Sequence, residues 1–151
     1  MDIWKAEKSV VDTMVTIVTA HHPDLAPYVD QIAVIFREKA SKVGGFVILG
    51  KTKKTPMLVN LLGDVEYCFV IELAADEWQS LNTEQRTALL DHHLCACRVE
   101  LDKKTSDPKF SIAPPDFVGY RGEIERHGIW RPQPEGAAED GPNPVMELFN
   151  N

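Results

Sequence analysis

From Asn82 to about Val99 the sequence predicts one α-helix. Asn82 is a good N-cap, Gln85 three residues on completes a capping box, and Glu84 lies in the first turn, where the helix dipole favours negative charge. Leu89, Leu90 and Leu94 give the helix an apolar side to bury. Its last turns carry His92, His93, Cys95 and Cys97, two imidazoles and two thiols within six positions. A fold for this chain must bury the leucines and still find a use, or a harmless place, for four metal-type side chains.

The rest of the chain frames that helix. From Lys5 to Ala20, apolar residues Ala6, Val10, Val11, Met14, Ile17 and Val18 recur at three- and four-residue spacing, which predicts an amphipathic helix. His21-His22-Pro23-Asp24 ends it, because proline cannot extend a helix and restricts the residue before it. Gln31 to Glu38 alternates as a largely buried strand, with Ile32, Val34 and Phe36 on one side. Gly44-Gly45 turns the chain into a second strand, Phe46 to Gly50, and a third is expected from Asp64 to Leu73. Met57 to Leu62 fits strand or helix equally, and Ala74 to Leu81 reads as a connecting segment. After the capped helix come a polar loop from Leu101 to Ser106 and a short strand from Lys109 to Ala113. A last helix from Pro114 or Pro115 carries Phe117, Tyr120 and Ile124 and stops at Gly128. The expected class is α+β: three or four short strands, joined by short links into a mainly antiparallel sheet, packed with about three helices.

Length allows one domain with a proper core, expected over residues 1–130. Residues 131–151 are rich in Pro and Gly and acidic, and read as a mobile tail. The net charge of -7 argues against general nucleic-acid binding, which needs clustered cations. Lys51, Lys53 and Lys54, the one basic cluster, read as a solvated turn. With no apolar run of membrane-spanning length and no signal-like N-terminus, a cytoplasmic protein without a membrane is expected. Three cysteines make an odd number, so reduced thiols are expected rather than a disulfide framework.

On a helix, residues three or four apart share a face, so His93 with Cys97, or His92 with Cys95, could grip one ion. Zn2+ takes tetrahedral N and S donors and would draw a further ligand from elsewhere. Cys68, His127, Asp116, His21 and His22 are the candidates. The same residues have a plain alternative reading, since cysteine is often a small buried filler and paired surface histidines often do nothing. Asp91-His92-His93 also spells the short signature of the Asp-His-His phosphoesterases, but the buried strand and upstream aspartate motifs that accompany it there are missing. A Cys68–His127 hydrolase pair has nothing in the sequence to bring it together. Glycine-rich phosphate loops and a Gly-x-Ser-x-Gly elbow are absent.

Several short motifs in order carry a resemblance: Asp76-Glu77-Trp78, the capped run Leu81 to His92, and Pro115-Asp116-Phe117 through Glu125-Arg126-His127-Gly128-Ile129-Trp130. Together with Lys39 to Gly45 and Val47 to Lys51 they resemble the "putative phage metallopeptidases", small phage-encoded proteins of expected zincin-like fold. The resemblance spans about Trp4 to Trp130 and implies a zinc-dependent peptidase site. A complete member would read Asp-His-Glu-x-x-His on the helix, with a third ligand just before the downstream aspartate. His92 matches the first ligand and Asp116 the downstream aspartate. His93 stands where the resemblance places the general-base glutamate, Ala96 at the second ligand and Pro115 at the third. What the resemblance implies is therefore a peptidase scaffold with a degenerate centre, in which His93 is the one candidate catalytic base. The metal candidates are then His92, His93, Cys95 and Cys97. Three roles compete: a phage accessory protein that binds a host protein, for instance a defence protein; a structural zinc protein; and an altered hydrolase.

Overall fold

The computed structural model describes residues 2–116, 120–128 and 130. The chain divides into two compact units, residues 1–113 and 114–151.

In the first unit a four-stranded sheet has the order β1 (Ile3–Lys5), β2 (Ile32–Arg37), β6 (Phe69–Ala74) and β5 (Gly50–Lys54). Strand β1 runs antiparallel to β2, and β5 antiparallel to β6, while β2 and β6 pair in parallel with Ile32 opposite Phe69. The class is α+β, and most strand pairings are antiparallel. The central parallel pair departs from the hairpin succession that short links suggest. Strands β2 and β6 are largely apolar, and setting them side by side in the middle of the sheet buries both. Ile32, Val34 and Phe36 face the core with Phe69, Ile71 and Leu73, as the alternation of β2 predicts.

Helix α1 (Lys8–His21) and helix α4 (Thr83–Cys95) pack on each other and share that core. Met14 and Val18 of α1 and Leu90 and Leu94 of α4 are fully buried. Burial at this depth contributes about 1.5–3 kcal/mol for each large aliphatic side chain. The capping box of α4 forms as predicted: Gln85 N–H donates to Asn82 Oδ1 at 2.8 Å, and Asn82 N–H to Gln85 Oε1 at 3.0 Å. A 3-10 turn, Ala26–Gln31, joins α1 to β2.

Several elements differ from the sequence reading. Lys51, Lys53 and Lys54 lie on β5, an edge strand, where Lys53 Nζ and Arg37 Nε reach the two carboxylate oxygens of buried Glu72 at 3.2 and 2.6 Å. The sequence hid this strand because alternating lysine and threonine on an edge look like a solvated turn. Gly44 and Gly45 do turn the chain, both at positive φ, but between β3 (Ser41–Val43) and β4 (Phe46–Ile48) of a separate hairpin. Met57–Gly63 is helix α2, so the following strand starts at Phe69 rather than Asp64. Ala75–Ser80 is helix α3, whose Trp78 is buried edge-on to Phe36 at 5.7 Å and lies under the Arg86 guanidinium at 5.1 Å.

Helix α4 is shorter than expected, and this matters most for the donor set. It ends at Cys95, and Cys97 opens strand β7 (Cys97–Leu101), paired with β8 (Pro108–Ile112). Cys97-Arg98-Val99-Glu100-Leu101 alternates apolar and charged, a period-two pattern that overrides the helix once β8 supplies a ladder. The polar loop between the two strands falls where expected, with Asp102 Oδ1 accepting from Lys104 N–H and Thr105 N–H.

In the second unit, helix α5 spans Arg121–His127, with Tyr120 as N-cap and Gly128 at φ 69 as its stop. It begins later than Pro114 or Pro115. Ile124 is buried; Phe117 and the expected tail, residues 131–151, lie outside the described residues.

Candidate functional site

The four donors of the α4 region do not share one face. His92 is exposed, its ring 5.1 Å from that of His93 and roughly perpendicular to it. His93 points the other way, into the protein, and is 7% exposed. It meets edge strand β5: Thr52 Oγ1 lies 2.9 Å from His93 Nδ1 and donates to the His93 carbonyl at 3.1 Å. One hydroxyl carries one proton, so with that proton on the carbonyl the ring proton sits on Nδ1 and is donated to Thr52. Nε2 is then a buried lone pair, without a hydrogen-bond partner among the described residues. Burial, reinforced by neighbouring His92, lowers the His93 pKa from 6.5 to about 4, so the ring is neutral at pH 7.

Cys97 is not on the helix, which removes the four-residue spacing to His93 as a reason for the two to share an ion. Its buried thiol donates to the His93 carbonyl at 3.6 Å. Burial first, then the nearby Cys68, Cys95 and Asp24 charges, push its pKa up to about 12. Cys68, at the foot of β6, is also buried and donates to the Gln31 carbonyl at 3.4 Å. Burial outweighs its backbone hydrogen bonds and raises its pKa to about 11, the opposite of an activated nucleophile. Cys95 is exposed at the end of α4. Asp116 and His127 belong to the second unit, both exposed, with His127 as the last residue of α5.

One cluster of three donor types does form. His22 Nε2 donates to Asp91 Oδ1 at 2.6 Å, and the Cys95 thiol lies 4.0 Å from the same oxygen. All three ligand atoms fall within 4.8 Å of one another. Among the expected metal residues only Cys95 belongs to it. His22 stood in the sequence as one distant candidate among several, and Asp91 only as a letter of a motif. Asp91 and Cys95 are four apart on α4, a spacing that could have been read directly. The packing of α1 against α4 that delivers His22 has no sequence signal.

A family model described as "putative phage metallopeptidase" matches residues 3–138. The chain belongs to this family. Comparison with the curated proteins and with the solved structures finds no match. The name of this phage metallopeptidase family suggests a metal, typically zinc, and the His22–Asp91–Cys95 cluster is the one metal-type donor group of three among the described residues. No helix among the described residues of this family member is long and apolar enough to cross a membrane.

Proposed function

We propose that this chain keeps a zincin-like scaffold but not the peptidase chemistry of its family, and serves a phage as an accessory protein that binds rather than cuts. The observation that carries the reading is the environment of His93. In the pattern that the resemblance implies, position 93 would hold a general-base glutamate. Here it holds an imidazole packed against Thr52 and Gly50, neutral at pH 7 and with a pKa near 4. An effective general base has a pKa near the working pH and reaches the proton it removes. His93 meets neither condition.

The donor positions support the same reading. A hydrolytic zinc needs three protein ligands and one open place. Of the positions the family pattern would use, His92 has an imidazole, Ala96 a methyl group and Pro115 a pyrrolidine ring. These residues do not fit such an ion. A binding role is supported by α2, whose Met57, Leu58, Leu61 and Leu62 are all exposed within two turns, an apolar concentration that monomeric surfaces rarely carry without a use. The partner in this reading is a host protein met in the host cytoplasm. A second reading, a structural zinc protein without catalysis, is favoured by one observation, the donor cluster of His22, Asp91 and Cys95.

The test is hydrolysis of unfolded protein and mixed fluorogenic peptides with added zinc, with and without chelator. The expected result is no chelator-sensitive turnover. Turnover that chelator removes and His92→Ala abolishes would return the chain to the working peptidases.

A further inference from the structure

We infer that His22, Asp91 and Cys95 form a binding site for a borderline-soft divalent cation of the zinc type, displaced from the His92 turn. The inference stands apart from the peptidase reading, because none of the three is a ligand position of the family pattern.

Three features of the geometry point the same way. Imidazole nitrogen, carboxylate oxygen and thiol sulfur converge, the donor mixture that suits zinc rather than magnesium or calcium. Their mutual separations, none above 4.8 Å, approach the roughly 3.3–3.8 Å edges of a tetrahedron built from bonds of about 2.0–2.3 Å. Small side-chain rotations close the difference, and the His22–Asp91 contact opens from 2.6 Å as the ion enters between them.

The third feature is electrostatic. His22 is the C-cap of α1, and Cys95 is the last residue of α4 with Asp91 one turn before it. Two helix C-termini therefore meet at the cluster, each bringing the partial negative end of its helix dipole. A dication at this point is favoured by both dipoles. The side chain of Asp91 is 42% exposed and Cys95 is at the surface, so an ion can enter from solvent. On binding, the Cys95 thiol gives up its proton to solvent and ligates as thiolate, so affinity falls as pH is lowered.

Cobalt(II) titration of metal-free protein lacking a polyhistidine tag tests the site, since thiolate ligation gives a near-ultraviolet charge-transfer band. One equivalent of cobalt should produce the band, and zinc should displace it. Cys95→Ser, at an exposed position that leaves the core intact, should abolish it, and Asp91→Asn should weaken binding at least about tenfold. Cys97→Ala should retain it. Absence of saturable binding, or a band that survives Cys95→Ser, would overturn the inference. No substrate enters this measurement, so its outcome is independent of whether the chain hydrolyses peptides.

Discussion

Gly50 and His93 stand so close that a Cβ on residue 50 would lie 2.7 Å from His93 Nε2 and 2.7 Å from the Glu72 carbonyl oxygen. Edge strand β5 reaches helix α4 only because this position has no side chain. Gly50→Ala must move the strand, the ring or both, and is expected to cost about 1–3 kcal/mol. Urea unfolding reads this; a variant as stable as the parent would mean that α4 and β5 are not in this contact.

Burial of neutral His93 links stability to pH. Its pKa is about 4 in the folded protein and 6.5 when exposed, so between these values the unfolded chain binds the extra proton. The stabilisation is complete above pH 6.5 and is lost as pH falls toward 4, by about 3 kcal/mol over the window. Urea unfolding of metal-free protein at pH 7.5, 5.5 and 4.5 measures the slope, and His93→Gln should flatten it. A slope unchanged in that variant would assign the proton elsewhere.

The three thiols should differ sharply toward an alkylating reagent at pH 8. Cys95 is exposed, whereas Cys68 and Cys97 are buried with pKa values near 11 and 12. One thiol per metal-free native molecule should react quickly and the other two only after unfolding. Peptide mass mapping identifies the site, and rapid labelling of Cys97 would contradict its place in β7.

Asn82→Ala removes the acceptor that holds Gln85 N–H at the start of α4. The expected loss is about 1 kcal/mol, within the usual range for a polar N-cap. Thermal or urea unfolding checks it. A neutral result would show that packing of Leu90 and Leu94 alone holds the helix start.

Legibility in the sequence followed the strength of local signals. Helix α1, strand β2 and the capping box were readable because periodicity and cap chemistry are properties of a few adjacent residues. Strand β5 and helix α2 were not, since an edge strand of lysines and a surface helix of leucines both contradict the usual match of polarity to exposure. At the site, the concentration of donors near the end of α4 was visible, but their directions were not. Strand β7 takes Cys97 off the helix, β5 takes His93 into the core, and α1 brings His22 to Asp91. Each of these depends on a partner distant in sequence.

Diffraction from crystals of the zinc-loaded protein, recorded at the zinc absorption edge, locates the ion directly. An anomalous peak is expected among His22, Asp91 and Cys95, with none on His92. A peak on His92, with a water ligand and a carboxylate beside it, would mean that the ion sits in a peptidase-type centre and not in the displaced site.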